Sequence, residues 1–219
     1  EAKTGVLLEV NCESDFVAKT DGFQTFGESL ATQIAQSAPP DLDALMAQDW
    51  QGRDGLTVQD YLNELIGQLG ENIRVRRFAH FANSGPVAAY IHFGGKIGVL
   101  LELQAGSNTE ELQNLARDLA MQVAATNPLA VSPDSLDPEE VAKEKAIYEA
   151  QAKESGKPEK IIERMVSGRL EKFFKEVCLV EQPFVKNSDV TVAQLLKDAA
   201  ASSGGPVQVT RFVRYQVGA

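Results

Sequence analysis

The chain has 219 residues, of which 43% are hydrophobic and 24% are charged, and its formal net charge at pH 7 is −10. This composition is ordinary for a globular protein and is long enough to bury a core in one domain or two. The acidity argues against a protein that holds nucleic acid by its phosphates, which requires clustered Lys and Arg. No stretch approaches the roughly 20 apolar residues of a membrane span. We therefore expect no direct nucleic-acid partner and no membrane segment.

Catalytic chemistry is also not indicated. Cys12 and Cys178 each lie in or beside an apolar run, where a reduced thiol behaves as a small hydrophobe. His80 and His92 lie in strand-like runs without a paired nucleophile, and no phosphate loop, dinucleotide glycine pattern or metal-ligand cluster is present. We predict no catalytic residue, no metal, no cofactor and no enzyme activity.

The first elements in chain order are a strand and a helix joined by an unusual loop. The apolar run at 6–10 predicts a strand, and apolar residues spaced three and four apart predict a helix from about Asp21. The polar junction at 11–20 contains Asp15 and Phe16, a carboxylate beside a large aromatic ring. From the residues alone, Phe16 could equally be a core residue that closes the sheet, and Asp15 an N-cap or a solvated loop acid.

The elements that follow are predicted from periodicity and from turn residues. They are a short helix within 39–50, a helix that Thr57 caps and Gly70 ends, strands at 73–81 and 87–93 joined as a hairpin, a hinge at 94–96, and strands at 176–185 and 207–217. The arginines at 74, 76 and 77 mostly alternate along their strand, which favours a solvated sheet face over an RNA site.

Four sequence blocks occur twice in the same order, which indicates an internal duplication. Gly5-Val6-Leu7-Leu8-Glu9-Val10 returns as Gly98-Val99-Leu100-Leu101-Glu102-Leu103, and three further blocks recur after it. The sequence therefore predicts an α+β fold of two duplicated subdomains, residues 1–95 and 96–219, each a small antiparallel sheet with helices.

The connection from strand to helix differs between the two copies. In the second copy Ser107 and Glu110 have the spacing of a capping box, which explains that junction by helix initiation. The first copy is longer by four residues, and it is there that Asp15 and Phe16 lie. The first junction is thus longer than helix initiation requires.

The second copy contains an insertion at 138–174, in which two charged, helix-favouring runs flank Gly156 and Pro158. Gly156 is placed to end the first helix and Pro158 to begin the second. With so little apolar surface, the two helices are predicted to project as an antiparallel, coiled-coil-like hairpin. The alternative is that both lie flat on the body.

The stretch Gly5–Lys19, GVLLEVNCESDFVAK, resembles the signature of the elongation factor Ts family, the guanine nucleotide exchange factors of the GTPase elongation factor Tu. Further matching stretches cover essentially the whole chain, at 70–73, 97–100, 120–125, 155–158 and 182–185. The resemblance implies two related α+β subdomains with a helical hairpin inserted in the second. It also implies a small N-terminal helical domain, which we expect to be missing here because the chain begins with Glu1 almost directly at a strand.

The resemblance implies a site for binding elongation factor Tu. The exchange loop would comprise Ser14, Asp15, Phe16 and Val17, with the acid and the ring inserted beside the Mg²⁺–GDP site so that GDP leaves without covalent chemistry.

Secondary contacts with the partner are implied at Ile97, Gly98, Gln122, Val185 and Lys186. Ile97 and Gly98 fit equally well as the start of a core strand. Gln122 stands where many family members have His, and Lys186 stands where the family often has an apolar residue.

The alternative function is a structural or dimerisation scaffold that uses the helical hairpin and has no exchange activity. The two functions differ at Phe16, since a scaffold should tolerate its loss. The resemblance leaves open a homodimer or a heterotetramer with the partner. It implies the bacterial cytoplasm, with plastids and mitochondria as further settings of the family.

Overall fold

The computed structural model describes residues 3–83 and 85–219 and confirms the predicted α+β class. Within these residues the helices are α1 Asp21–Ser37, α2 Leu42–Met46, α3 Val58–Leu69, α4 Glu110–Thr126, α5 Pro138–Lys153, α6 Glu159–Val177 and α7 Val192–Ser203. The strands are β1 Lys3–Asn11, β2 Arg74–Asn83, β3 Val87–His92, β4 Ile97–Ala105, β5 Pro183–Phe184, β6 Asn187–Thr191 and β7 Val207–Gln216. Short 3-10 helices lie at Val17–Lys19, Pro133–Ser135 and Leu179–Glu181.

These strands pair in antiparallel sheets, each of which is small. β1 pairs with β2, β4 lies between β3 and β7, and β5 pairs with β6. α1 and α3 share a buried core with β1 and β2 that includes Phe26, Leu30 and Leu65. α4 covers the three-stranded sheet, where Leu101 and Leu119 are fully buried.

Strand β4 is buried on both faces because it lies between a helix and the other sheet. Leu101 and Leu103 belong to the core beneath α4. Leu100, on the opposite face, packs with Leu7 and Phe81 of the β1–β2 pair. The two sheets therefore pack face to face, and this explains why β4 is almost continuously apolar instead of alternating.

The two predicted copies place an equivalent acid and arginine opposite each other. Glu9 of β1 lies opposite Arg77 of β2, and Glu102 of β4 lies opposite Arg211 of β7; in both pairs Nε is 2.7 Å from Oε2. Both glutamates are buried, and a β-bulge follows each of them. A buried carboxylate requires such pairing. The equivalence of the two pairs favours the predicted duplication.

The same two arginines also join the two sheets. The Arg77 guanidinium lies 4.2 Å from the ring centre of Tyr215 on β7, and that of Arg211 lies 4.0 Å from the ring centre of Phe81 on β2. A guanidinium over an aromatic face is attracted by the ring quadrupole. Each arginine therefore stacks on a ring of the other predicted copy, and the contact between the copies is reciprocal.

The prediction of a solvated arginine face on β2 is wrong for two of its three arginines. Arg76 and Arg77 both pair with the buried carboxylate of Glu9, at 3.2 and 2.7 Å. These two arginines neutralise a buried acid on the neighbouring strand β1. The pattern of residues along β2 alone does not reveal that contact.

The predicted hairpin between the strands at 73–81 and 87–93 is also wrong. β2 pairs with β1, whereas β3 crosses to the other sheet and pairs with β4. The crossing segment is pressed against β4: the Leu103 N–H donates to the Pro86 carbonyl at 2.9 Å, and a Cβ on Gly85 would lie 2.0 Å from the Leu103 carbonyl oxygen. Packing against β4 therefore decides the pairing.

The residues at 94–96, predicted as a hinge between the copies, form the turn of the β3–β4 hairpin. Gly94 and Gly95 both have positive φ, and the Lys96 N–H donates to the Phe93 carbonyl at 3.3 Å. Glycine adopts this conformation without the strain that other residues incur. The predicted division between 95 and 96 falls within this turn, and the two-subdomain assignment stays a prediction.

The helix start predicted at Thr57 agrees with the structure, whereas the one predicted at Ser107 does not. Thr57 caps α3 in a capping box with Asp60, and Gly70 ends the helix in the left-handed conformation. In the second copy the capping box at Ser107 is wrong, because Thr109 is the N-cap of α4 and accepts from the Leu112 N–H. The residue directly before the first helical turn has the better position for capping.

The helical hairpin is present at α5 and α6, but its ends differ from the prediction. α5 ends at Lys153, before Gly156, and Pro158 is the N-cap of α6. Ala152 is the buried residue of α5 and Val166 that of α6. This exposure is typical of two helices that pack mainly on each other, and it argues against the alternative in which both lie flat.

The predicted strand at 176–185 is wrong, because α6 continues to Val177 and β5 contains only Pro183–Phe184. Phe173 and Phe174 at the end of α6 pack beside buried Cys178, in a cluster that also holds Ala130 and Leu136. This packing extends the helix into a run whose apolar residues also suited a strand.

Candidate functional site

The loop between β1 and α1 exposes the acid and the aromatic ring that the sequence singled out. β1 ends at Asn11, the 3-10 helix begins at Val17, and Thr20 is the N-cap of α1. The Phe16 residue is 87% exposed, and the Asp15 side chain is 75% exposed. Phe16 is therefore no core residue and Asp15 does not cap the helix, whereas the exposure of Asp15 fits a solvated loop acid as well as a binding residue.

The residues on both sides of Phe16 are fixed to the body. Ser14 donates its N–H to Glu71 Oε2 at 2.9 Å and its hydroxyl to Glu71 Oε1, so one carboxylate holds both groups. The Ser14 hydroxyl also accepts from the Val17 N–H at 3.3 Å, and the Val17 side chain is buried. Hydrogen bonds to a charged group are stronger than neutral ones. The ring is therefore presented by an ordered loop.

The Cys12 thiol adds a further contact at the base of the loop. Burial, followed by the nearby charge of Glu71, raises the pKa of Cys12 above its usual value. The thiol is therefore protonated at neutral pH and lies 3.2 Å from the Ser14 carbonyl, to which it donates. Cys12 thus serves as a structural donor and is a poor nucleophile.

The turn of the β3–β4 hairpin lies beside this loop. Lys96 Nζ is 3.7 Å from Asp15 Oδ1, an exposed ion pair that contributes little to stability. Phe93 in the same turn is 72% exposed and Ile91 is also exposed. Sequence reasoning missed these two apolar residues, although an aromatic residue directly before two glycines was a signal that it would be presented on a turn.

Ile97 and Gly98 lie at the start of β4, where the sequence left two interpretations open. Gly98 is buried, and a Cβ there would come within 2.7 Å of Leu7 Cδ1 and 3.3 Å of Ile91 Cδ1. Ile97 is partly buried and packs against the core beneath α4. Both therefore contribute to strand packing, and the exposed large apolar side chains of this hairpin are Ile91 on β3 and Phe93 in the turn.

Gln122 is fully buried, with 0% exposure, so in this structure it cannot touch a partner directly. Its Nε2 donates to Gln182 Oε1 and to the Pro183 carbonyl, both at 3.1 Å, and its Oε1 accepts from the Val185 N–H at 2.8 Å. The amide thus binds the segment that follows α6.

Val185 and Lys186 lie on the surface at the end of that segment. The Val185 side chain is exposed, whereas Phe184 before it is buried. Lys186 Nζ lies 2.6 Å from Asp118 Oδ1 on α4. Lys186 is therefore held by α4, and Val185 is the apolar side chain that remains available.

Among residues 3–83 and 85–219, no group of three or more His, Cys, Asp or Glu side chains is placed to hold a metal ion. Over the same residues, no helix combines the length and apolar character needed to cross a membrane.

An exposed aromatic ring on an ordered loop is the kind of feature with which one protein anchors itself in a pocket of another. The fold and the site are therefore those of an α+β protein that presents an exposed aromatic ring on an ordered loop. The family model described as Elongation factor TS matches residues 13–219. The chain belongs to the elongation factor Ts family, and it is thus a translation elongation factor.

Individual relatives agree with this assignment. The chain is 45% identical over 217 residues to Elongation factor Ts of Clostridium novyi (strain NT), covering 99% of this chain and 71% of that protein. It is 50% identical over 219 residues to the protein of the same name from Alkalilimnicola ehrlichii, covering 100% and 70%, and 47% identical over 218 residues to that of Halorhodospira halophila, also 100% and 70%. The chain thus spans about 70% of the length of these relatives.

Proposed function

We propose that this chain binds the GDP-bound form of the GTPase elongation factor Tu and promotes release of GDP, as a guanine nucleotide exchange factor that makes and breaks no covalent bond. The observation that carries the proposal is the 87% exposure of Phe16 on a loop whose flanking residues are fixed by Glu71 and by burial of Val17. Membership of the elongation factor Ts family supports the choice of partner.

In the proposed mechanism the Phe16 ring enters the GTPase between side chains beside the Mg²⁺–GDP site. Affinity for a nucleotide at such a site depends on Mg²⁺ and on backbone amides that hold phosphate oxygens. A ring that shifts the elements carrying those groups weakens both contacts. Asp15 places a carboxylate next to the ring, where it competes with phosphate oxygens for the same cationic groups.

The free energy available from one ring sets a limit on the effect. Burial of a Phe side chain contributes about 1.5–3 kcal/mol, and about 1.4 kcal/mol changes affinity tenfold. Insertion of Phe16 can therefore loosen GDP by about 10- to 100-fold. A larger effect requires further contacts that hold the partner in its open form.

The exchange loop in this proposal is Ser14 to Val17, in which Ser14 and Val17 fix the loop and the two residues between them enter the partner. We place a second contact at the β3–β4 turn near Ile97 and Gly98, because the turn is adjacent to Asp15 and exposes apolar side chains. A third contact is proposed at Val185 and Lys186.

Binding and release are linked in this mechanism. If the chain lowers the affinity of elongation factor Tu for GDP, then GDP must lower the affinity for the chain by the same factor. Rebinding of a nucleotide therefore displaces the factor, so that one molecule can act repeatedly.

The test is stopped-flow release of fluorescent GDP from elongation factor Tu in the presence of the chain and its variants. The proposal predicts that the chain accelerates release, that Phe16→Ala removes most of the acceleration and that Asp15→Ala reduces it. Leu129→Ala is the matched control, because Leu129 is an exposed apolar residue whose N–H donates to the Val177 carbonyl at the end of α6. An unaccelerated release with the parent chain, or full activity in Phe16→Ala, would refute the proposal.

The alternative, a dimerisation scaffold without exchange activity, is favoured by the exposed Ile147 and Ile161 on the helical hairpin. The alternative predicts that the chain associates with itself, that Ile147→Glu weakens this self-association and that Phe16→Ala leaves it unchanged. Sedimentation analysis with and without elongation factor Tu decides between a monomer, a homodimer and a heterotetramer.

We propose the bacterial cytoplasm as the setting, because the relatives named above are bacterial.

A further inference from the structure

Helix α4 carries three polar side chains one turn apart that bind the segment 182–186. Asp118 pairs with Lys186 at 2.6 Å, Gln122 binds three groups of the segment, and Thr126 Oγ1 donates to Gln182 Oε1 at 2.7 Å. Residues four apart lie on the same face of a helix. We refer to Asp118, Gln122 and Thr126 as the α4 ladder.

Gln122 is the central member of the ladder, and both hydrogens and the oxygen of its side-chain amide form hydrogen bonds. Nε2 carries two hydrogens, and it donates to Gln182 Oε1 and to the Pro183 carbonyl; Oε1 accepts from the Val185 N–H. Buried polar groups are costly unless each is paired. The bonds to the Pro183 carbonyl and the Val185 N–H therefore fix the backbone on both sides of Phe184, whose side chain is buried.

The consequence of this arrangement is that Val185 is presented in one position. Its N–H is held by Gln122, the preceding side chain is anchored in the core, and the Val185 side chain remains 47% exposed. A binding group that is already ordered loses less conformational entropy when it docks.

We propose that Gln122 is a positioning residue that holds Val185 ready to dock in an apolar pocket of the partner GTPase, without touching the partner itself. This inference rests on the proposed function, and it assigns to a buried amide a role that acts through another side chain. The ladder as a whole positions the third contact of the proposed function, which is separate from the loop of Phe16.

The chemistry of the amide explains why histidine would not serve equally well here. Neutral imidazole offers one donor and one acceptor, whereas Gln122 uses two donors and one acceptor. A Gln122→His variant therefore leaves at least one of the three segment groups without its bond. We expect it to order Val185 less well than glutamine does in this chain.

The test measures binding of the full chain to nucleotide-free elongation factor Tu by calorimetry, for Val185→Ala, Gln122→Met and the double variant. Truncating Val185 should weaken binding about fivefold to fifteenfold. Gln122→Met should weaken binding by a similar factor. The affinity of the double variant should be at most about twofold lower than that of the single variant that binds less tightly, because both substitutions remove the same contact. Gln113→Met, an exposed position on α4, is the matched control and should bind like the parent.

A second readout uses the free chain and does not depend on any partner. The Val185 amide should be protected from hydrogen exchange in the parent and in Val185→Ala, and should lose at least tenfold protection in Gln122→Met. Equal protection in the parent and in Gln122→Met overturns the inference. So does a double variant whose loss equals the product of the two single losses, or an unaffected affinity in either single variant.

The two proposals can fail separately. If the parent chain does not bind elongation factor Tu, the proposed function fails, while the exchange of the Val185 amide still reports on the ladder. If Gln122→Met does not fold, Thr126→Val is the substitute, because it removes the hydroxyl that contacts Gln182 and the Gln122 backbone carbonyl at the edge of the network and leaves the Gln122 amide in place. The losses of binding free energy caused by Thr126→Val and Val185→Ala should add to more than the loss in their double variant. If the two losses are additive, the role of the ladder is refuted.

Discussion

Replacing Glu71 tests whether anchoring of the loop is needed for exchange. Its carboxylate accepts both the N–H and the hydroxyl of Ser14, and it is the contact that fixes the loop before Phe16. A hydrogen bond to a charged group contributes about 1.5–3 kcal/mol. Because this pair is partly exposed, we expect Glu71→Ala to destabilise the ordered conformation of the loop by about 2 kcal/mol relative to the disordered one.

This cost should appear as a loss of apparent affinity. A change of 2 kcal/mol lowers the ratio of ordered to disordered loop about 30-fold, and apparent affinity falls with the fraction that is competent to bind. The ordered fraction cannot fall by more than this ratio, so we expect exchange at low factor concentration to fall by at most about 30-fold. The maximal rate at saturating factor should change little, because Asp15 and Phe16 are intact.

The assay is stopped-flow release of fluorescent GDP across a series of factor concentrations. Glu64→Ala is the matched control, since Glu64 lies on α3 and pairs at the surface with Arg53 at 2.7 Å, so its loss should be neutral. Hydrogen exchange at the Ser14 amide shows whether the anchor has been released. If that amide loses protection while the concentration dependence of exchange stays unchanged, the reasoning is wrong.

Three further predictions concern stability. Gly98→Ala should destabilise by about 1–2 kcal/mol, because its Cβ would lie 2.7 Å from Leu7 Cδ1, and thermal unfolding checks this. Gly27→Ala should stabilise by about 0.5–1 kcal/mol in the same measurement, since Gly27 is inside α1 with open space around it. Burial raises the pKa of Cys178 from 9.0 to about 11, so its contribution to stability is full below pH 9 and is lost as pH rises to about 11; urea unfolding should show this fall, and Cys178→Ala should lack it.

The pairing of the strands was harder to predict than the strands themselves. The apolar runs of β1 and β4 were recognised as strands, and the structure confirms both. The partner of β3 was not, because alternation along a strand does not reveal which sheet it joins, and the close approach of Gly85 to Leu103 decides it. The run after α6 was predicted as a strand for a similar reason, since short apolar runs suit helices and strands alike.

The candidate site could be predicted in part. The extra length of the first junction and the family resemblance together predicted that Phe16 would be exposed, which periodicity alone left undecided. The burial of Gln122 was missed, although a polar residue within the apolar face of α4 was a signal for it. Its role depends on residues 60 or more positions away in the sequence, such as Gln182 and Val185, and no local pattern shows that contact.

The central claim is that the Phe16 ring opposes bound GDP, and the most direct measurement compares the affinity of the chain for nucleotide-free and for GDP-bound elongation factor Tu. The account predicts that the parent chain binds the nucleotide-free form more tightly and that Phe16→Ala reduces this ratio by about 10- to 100-fold. If Phe16→Ala weakens binding to both forms by the same factor, the ring is only an anchor, and the claim is contradicted.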